Sequence, residues 1–334
     1  MAPRTALVTG VTGQVGYYVA DYLRRRGDKV YGLVRQTTLA RQATLAADDM
    51  PYEPVLGDLL DEYSLMSLIE RLQPDAIFNF AAQSFIPLSW MQPILTAQYT
   101  ALGVVRLLES VRRVAPRARF LQAGSSEVFA SCGTTPQNER TALSPRNPYG
   151  IAKAFALMTV RAYREQYGLA ASNAIFYTNE SPRRAPEFLF RKVTRGVAEI
   201  VAGRRQELTL GNLATVRDWG YSPDYAEAAV RIVEHDTPGD FVVATGEGHT
   251  VEALVAEAFG IVGRDWRAHV RHDSALERPS EIAPLIGDPR HVARTVGWQA
   301  GTRFAELVKL MVAADCHGLG VAPPWAAAAA ASAL

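Results

Sequence analysis

Thr5-Ala6-Leu7-Val8-Thr9-Gly10-Val11-Thr12-Gly13-Gln14-Val15-Gly16 is a short apolar run that stops at glycines 10, 13 and 16. An apolar run of this length, closed by glycines and followed by residues apolar at helical spacing over 15–26, predicts a strand turning directly into a helix. Gly10 permits the tight turn, Gly13 lets the backbone approach a pyrophosphate, and Gly16 allows close helix packing, with the helix N-terminus facing the phosphates. A glycine pattern alone is equally a turn with no ligand. Its place after the first strand of an alternating chain favours dinucleotide binding.

Working outward, the apolar runs 30–34, 76–80 and 120–123 alternate with helical-period segments at 15–26, 63–72 and 95–114. This pattern predicts an α/β fold, a Rossmann-like doubly wound parallel sheet covered by helices on both faces. A helix over 149–167 and a strand over 174–177 continue it. Beyond residue 179 the alternation gives way to Pro- and Arg-rich sequence, a short strand-like piece at 208–210 and helices over 188–202, 225–235, 251–259 and 304–314, with a late strand at 241–244. The expected organisation is a nucleotide-binding domain over 1–178 and a smaller α/β substrate lobe over 179–320, part of which returns to the first domain, followed by a tail over 321–334. Such a lobe belongs at the carboxyl ends of the strands, where open α/β sheets bind ligands.

The 334 residues are 48% hydrophobic and 21% charged, with a formal net charge of +1. That balance offers no field for nucleic acid or an anionic membrane. Two cysteines, Cys132 and Cys316, lie far apart and without metal-ligand spacing, which argues against disulfides and structural zinc and for a reducing cytoplasm. No segment approaches the roughly 20 apolar residues of a membrane span, and the histidines show no metal spacing. Small molecules are the expected partners, and no metal is expected.

The end of the second strand points to the cofactor. Val34 is followed by Arg35 rather than an acidic residue; an acid there would hold the ribose 2′-hydroxyl of NAD, whereas arginine accommodates the 2′-phosphate of NADP. Asp58 and Leu59, after the third strand, are placed for the adenine edge, although Asp58 could equally cap the following helix.

The chemistry is read from Ser125-Ser126-Glu127 and from Tyr149 and Lys153. Tyr149 and Lys153 are four apart, on one face of a helix. A tyrosine with a free pKa of about 10 is a poor base unless an ammonium and a hydrogen bond hold its phenolate. Lys153 and Ser125 can supply these, since Ser125 ends the strand over 120–123. Glu127, two residues on in an extended stretch, is expected on the same side as Ser125. There it could remove a proton next to a newly formed ketone, because oxidation acidifies that carbon. Otherwise it is an exposed loop acid.

These residues resemble the extended short-chain dehydrogenase/reductase family, and within it the GDP-mannose 4,6-dehydratases. Matching runs include Asn79-Phe80-Ala81-Ala82-Gln83-Ser84, Pro148-Tyr149-Gly150-Ile151-Ala152-Lys153, Glu180-Ser181-Pro182-Arg183-Arg184, Leu210-Gly211-Asn212-Leu213, Arg217-Asp218-Trp219-Gly220 and Arg278-Pro279-Ser280-Glu281. The resemblance implies NADP held by Gly10, Thr12, Gly13, Gln14, Gly16, Arg35, Asp58, Leu59, Ala81, Ala82, Tyr149 and Lys153. Tyr149, assisted by Ser125 and Lys153, would deprotonate the hexose 4-hydroxyl as NADP takes the C4 hydride. Glu127 would take the C5 proton as water leaves C6, and the hydride would return to C6. Around a GDP-sugar it implies Ser84, Ser126, Thr178, Asn179 and Glu180, with Lys192 and Arg217 at the diphosphate. Arg278 is a further phosphate contact, Glu281 meets the ribose, and Leu210, Gly211 and Asn212 lie near the base. Thr178-Asn179 stands where the family has Asn-His, which shortens one contact. A homodimer or homotetramer is implied, with 95–114 and 149–167 forming the dimer face. A 4,6-dehydratase of a related sugar nucleotide would share the whole set; a 4-keto sugar-nucleotide reductase or epimerase would share the Ser/Tyr/Lys set but needs no base at C5; a non-catalytic protein sensing the NADP pool would need neither Tyr149 nor Lys153.

Overall fold

The computed structural model describes residues 4–38, 50–276, 284–323 and 325. Strands β1 (Thr5–Thr9), β2 (Lys29–Val34), β3 (Glu53–Leu56), β4 (Ala76–Asn79), β5 (Arg119–Ser125), β6 (Ala171–Phe176) and β7 (Asp240–Val243) form one parallel sheet in the order β7-β6-β5-β4-β1-β2-β3. The order reverses at β1 and β4, which makes the switch-point crevice of a doubly wound fold. The period-2 rule of strands separates the two cores. Ala6 and Val8 pack with Val19, Leu23 and Ile232 on one face, whereas Leu7 packs with Ile77, Phe120 and Leu108 on the other. Both faces are therefore covered, which is why these strands read as continuous apolar runs.

Helix α1 (Gln14–Arg25) follows β1, α2 (Glu62–Leu72) follows β3, α3 (Gly103–Val114) precedes β5 and α4 (Pro148–Tyr167) precedes β6. The expected single helix over 95–114 is broken into Pro93–Ala97, a π-turn at Gln98–Leu102 and α3. The wider turn frees carbonyls from the usual ladder. The Arg106 guanidinium takes one of them, donating to Gln98 O at 3.3 Å, to the Gln98 side-chain oxygen at 3.0 Å and to Leu59 O at 3.1 Å.

The later chain builds a third core. Phe190, Val193 and Val197 of α5 (Leu189–Val201) pack with Leu254 and Val255 of α7 (Val251–Ile261) and with Leu307 and Met311 of α8 (Phe304–Gly318). Between them α6 (Ser222–Glu234) returns to the sheet, and β7 joins the edge of the sheet beside β6. The junction is a short parallel pair, Trp219–Tyr221 against Thr178–Glu180. No helix among the described residues is long and apolar enough to cross a membrane.

Candidate active site

The site begins where β5 stops. Ser125 caps a 3-10 turn over Ser126–Phe129, its hydroxyl oxygen accepting from Glu127 N at 3.3 Å. Glu127 is thus the second residue of a tight turn and not the continuation of a strand, so alternation is the wrong reason for its direction. The turn nevertheless opens its carboxylate into the cleft beside Tyr149. Helix α4 starts opposite, with Asn147 as its cap (Oδ1 accepting from Gly150 N at 2.8 Å) and Pro148 in its first turn, an arrangement that satisfies a terminal N–H and presets the helical φ.

Tyr149 and Lys153 share the inner face of α4 and are 8% and 3% exposed. The Lys153 ammonium donates to Ala123 O at 2.6 Å and sits 5.8 Å from the centre of the Tyr149 ring. Burial pushes the Tyr149 hydroxyl up to about 12, while the Ser125 hydrogen bond pulls it down, Glu127 pushes it up and Arg184 pulls it down. Burial lowers Lys153 to about 8, which leaves it mainly charged at neutral pH. The phenol therefore stays protonated until further positive charge arrives beside it.

Two further side chains, which sequence reasoning missed, hold carboxylates of the site. Asn147, 1% exposed, donates from Nδ2 to Glu127 Oε2 at 2.8 Å. Its capping role is legible from Asn-Pro before a helix; its bond to Glu127 is not. Arg184 lies 3.3 Å from Glu180 Oε2 and stacks 3.6 Å from the Phe188 ring centre. The i,i+4 spacing of Glu180 and Arg184 was the available signal. Burial raises the Glu180 carboxyl to about 7, with Arg184 and then Arg191 pulling it back.

Ser125, Glu127, Tyr149, Lys153, Glu180 and Arg184 line a cavity of about 260 Å³ that also takes in Ser84, Ser126, Thr178, Asn179, Arg217 and Trp219. Phe80, Ala82 and Ser84 are shared with a second cavity of about 530 Å³, bounded by Gly10, Thr12, Gly13, Gln14, Gly16, Arg35, Asp58, Leu59 and Ala81. The second cavity fits a dinucleotide. Gly13 caps α1 without any side-chain hydrogen bond, so the first-turn N–H groups remain for phosphate. Gly10 holds φ +66°, and a Cβ there would come within 2.6 Å of Ala81 N; only glycine keeps the loop this close to β4. Arg35 stands at the far rim, 5.7 Å from the ring centre of Tyr99. Asp58 uses its carboxylate on Leu60 N at 3.0 Å, and the cap of α2 is Asp61 instead.

Gln14 ties this loop to the lobe. It accepts from the Ser181 hydroxyl at 2.6 Å and from the Ser222 hydroxyl at 3.4 Å, and donates to Asn179 O at 3.3 Å. The Asn179 amide is itself engaged with Ser222 at 2.8 Å and Tyr177 O at 3.2 Å.

The nucleotide-side residues sit further out. Arg217, on Val216–Arg217, donates to Val216 O at 2.8 Å and is backed by buried Asp218, which accepts from Thr245 N and Gly246 N at 2.9 Å and from Gly287 N at 3.2 Å. Lys192 does not line the cavity; its ammonium donates to Thr209 O at 2.8 Å, next to Leu210. The Leu210 side chain is 2% exposed in the lobe core, so what this residue offers a ligand is its backbone. The Asn212 carboxamide closes a local turn on Ala214 N at 2.9 Å. Arg278, Glu281 and most of the tail lie outside the described residues.

A doubly wound sheet with a Ser/Tyr/Lys set at the ends of its strands defines an extended short-chain dehydrogenase/reductase. Solved structures share the whole architecture: UDP-glucose 4-epimerase from Thermotoga maritima superposes with a TM-score of 0.83 at 22% identity, covering 94% of this chain and 99% of that one. The dTDP-glucose 4,6-dehydratase from Bacillus anthracis gives 0.82 at 22% identity, over 96% and 99%. Sequence narrows the class: the family described as GDP-mannose 4,6 dehydratase matches residues 7–311, and the chain belongs to that family. GDP-mannose 4,6 dehydratase 1 of Arabidopsis thaliana is 40% identical over 93% of this chain and 90% of its own length. The GDP-mannose 4,6-dehydratase of Vibrio cholerae is 35% identical over 94% of each.

Proposed function

We propose that the protein is a GDP-mannose 4,6-dehydratase, converting GDP-mannose to GDP-4-keto-6-deoxymannose and water with NADP as resident cofactor. The observation that carries the reading is the placement of a carboxylate, Glu127, in one cleft with Tyr149 and Lys153, next to a dinucleotide-sized cavity. Bound NADP would supply the hydride acceptor and donor, and its oxidised form a positive charge. Tyr149 takes the C4 hydroxyl proton, with Ser125 and Lys153 holding the phenolate. Glu127 takes the C5 proton and passes it to the departing C6 hydroxyl, which leaves as water; the hydride taken from C4 would then return to C6 and a solvent-derived proton enter at C5, while Tyr149 gives its proton back to water. Arg35 holds the 2′-phosphate, and Arg217 pairs with the diphosphate, aided by Lys192 at the rim.

A 4-keto reductase would leave Glu127 without a task. Incubation with GDP-mannose in deuterated water tests the assignment: the expected product is a 4-keto-6-deoxy sugar nucleotide carrying deuterium at C5, read by mass spectrometry and NMR. Turnover of another sugar nucleotide with none of GDP-mannose would refute the substrate and keep the mechanism.

The protein works as a homodimer in the cytoplasm. Ile94 is 78% exposed, Met91 78%, Met158 58% and Ile151 56%, on the helices Ile86–Met91, Pro93–Ala97 and α4, which pack side by side. This apolar patch is the kind of face that a second copy covers. It lies on 86–97 and α4, because the apolar side chains of α3 are already buried in the sheet core. Light scattering should show a dimer that Met158→Asp converts to monomer; a parent protein that is monomeric throughout would remove this claim.

A further inference from the structure

We propose that Asn147 is a positioning residue for the base: its carboxamide occupies one oxygen of Glu127 and so dictates which oxygen receives the C5 proton. The inference rests on the assignment of Glu127 as that base.

The amide has two ends with different duties. Its Oδ1 accepts from Gly150 N at 2.8 Å, closing the first turn of α4. An amide orientation is ordinarily a choice between two flips. Here the cap decides it, and the NH₂ end is left facing Glu127. Nδ2 donates to Glu127 Oε2 at 2.8 Å. An amide nitrogen only donates, so Oε2 remains an acceptor whether Glu127 is ionised or protonated. The incoming proton is directed to Oε1.

Everything else around the carboxylate is placed to leave that bond in charge. Ser125 spends its hydroxyl oxygen on the backbone of the Glu127 turn. Tyr149 comes from the same helix as the cap, Lys153 lies deeper on Ala123 O, and Glu180, Arg184, Glu187 and Arg217 face Glu127 across the cavity. Among the described residues no other hydrogen bond reaches the Glu127 carboxylate. Asn147 is 1% exposed while Glu127 is half-buried on the cavity wall, so the donor is held from the protein side, and a hydrogen bond to an ionised acceptor is stronger than a neutral one.

The mount is also rigid. A Cβ on Gly150 would come within 2.9 Å of Glu127 O, so helix start and base turn meet backbone to backbone. Ser144 N donates to Val128 O at 2.7 Å and Ser131 N to Ser144 O at 3.0 Å, stitching the approach to the cap onto the same turn. One residue thus starts the helix that carries Tyr149 and aims the carboxylate that works after it.

Two variants separate aiming from capping, because Ser and Asp both retain a capping acceptor. Asn147→Ser should keep the thermal midpoint and the KM for GDP-mannose and lower kcat about tenfold to a hundredfold, the range for a lost hydrogen bond to a charged group. Reduced cofactor should accumulate on this variant, seen by its near-ultraviolet absorbance, since oxidation then outruns elimination. Asn147→Asp sets a second carboxylate against Glu127, so the Glu127 titration should move to higher pH. Carbon NMR of the glutamate-labelled protein, assigned with Glu127→Gln, reads that shift. An unshifted Glu127 titration in Asn147→Asp overturns the inference. So does unchanged kcat in Asn147→Ser, or a fall in kcat that tracks the thermal midpoint with no reduced cofactor. If the unsubstituted protein fails to dehydrate GDP-mannose, the functional assignment falls instead, while the NMR titration, which needs no turnover, still decides whether the amide commands Glu127.

Discussion

The two walls of the cleft are built differently. The wall formed by the ends of β5 and α4 carries Ser125, Glu127, Tyr149 and Lys153 on the largest sheet of the molecule, held by bonds of 2.6–2.8 Å from Lys153 and Asn147. The other side carries Arg217 on a two-residue strand, with Lys192 outside the cavity and Glu180 buried at the seam between sheet and lobe. In the proposed mechanism the first wall fixes the atoms that exchange protons and the second supplies charge to the substrate. Substitutions should therefore act on rate at the first wall and on affinity at the second.

Tyr149→Phe gives the largest expected effect. It should cost about 10⁴-fold in kcat, the upper end for a positioned acid-base group, with folding unchanged by circular dichroism; a loss below about tenfold would detach the first wall from the chemistry. Glu127→Gln comes next, at about 10³-fold on elimination. NADP binding, measured by calorimetry, should be intact, and any remaining turnover should stall before deuterium enters C5.

Glu180→Gln tests the seam. Burial raises the folded carboxyl from 4.5 to about 7, so the folded protein binds this proton more tightly than the unfolded chain does. The stability tied to the neutral form is present below pH about 4.5 and is lost as pH rises through about 7, a slope worth about 3 kcal/mol at 1.36 kcal/mol per unit. Denaturant titrations across that window should show the slope in the parent and its loss in the variant; parallel curves would mean that Arg184 keeps Glu180 ionised throughout. The smallest effect belongs to the outer wall. Arg217→Gln should raise KM about tenfold, as for one lost charged contact, with kcat nearly unchanged.

The same division decided what could be read from the chain. The sheet and the Ser/Tyr/Lys set were legible because they rest on local periods: alternate residues of β1 divide between two cores, and Tyr149 and Lys153 are one helical turn apart. Glu127 lines the same cavity as Ser125, but through a 3-10 turn rather than the strand alternation that the sequence suggests. The π-turn at Gln98–Leu102 leaves no periodic trace; one of its freed carbonyls, Gln98 O, is met by Arg106 from a later turn. Leu210 matched a family run, yet the match could not say that its side chain is core. Asn147 and Arg184 act through partners chosen by tertiary packing, so composition and spacing were silent about what they hold.

The bonds around Gln14 bear on how long a cofactor stays. Opening the dinucleotide cavity means parting the first residue of α1 from Asn179, Ser181 and Ser222, which belong to segments far along the chain. A loop fastened in this way releases its occupant more slowly than one that moves alone. A dehydrogenase that trades its cofactor at every turn would be throttled by such a clasp. An enzyme that ends each cycle with the cofactor in its starting form loses nothing, and can run many turnovers on a single bound molecule.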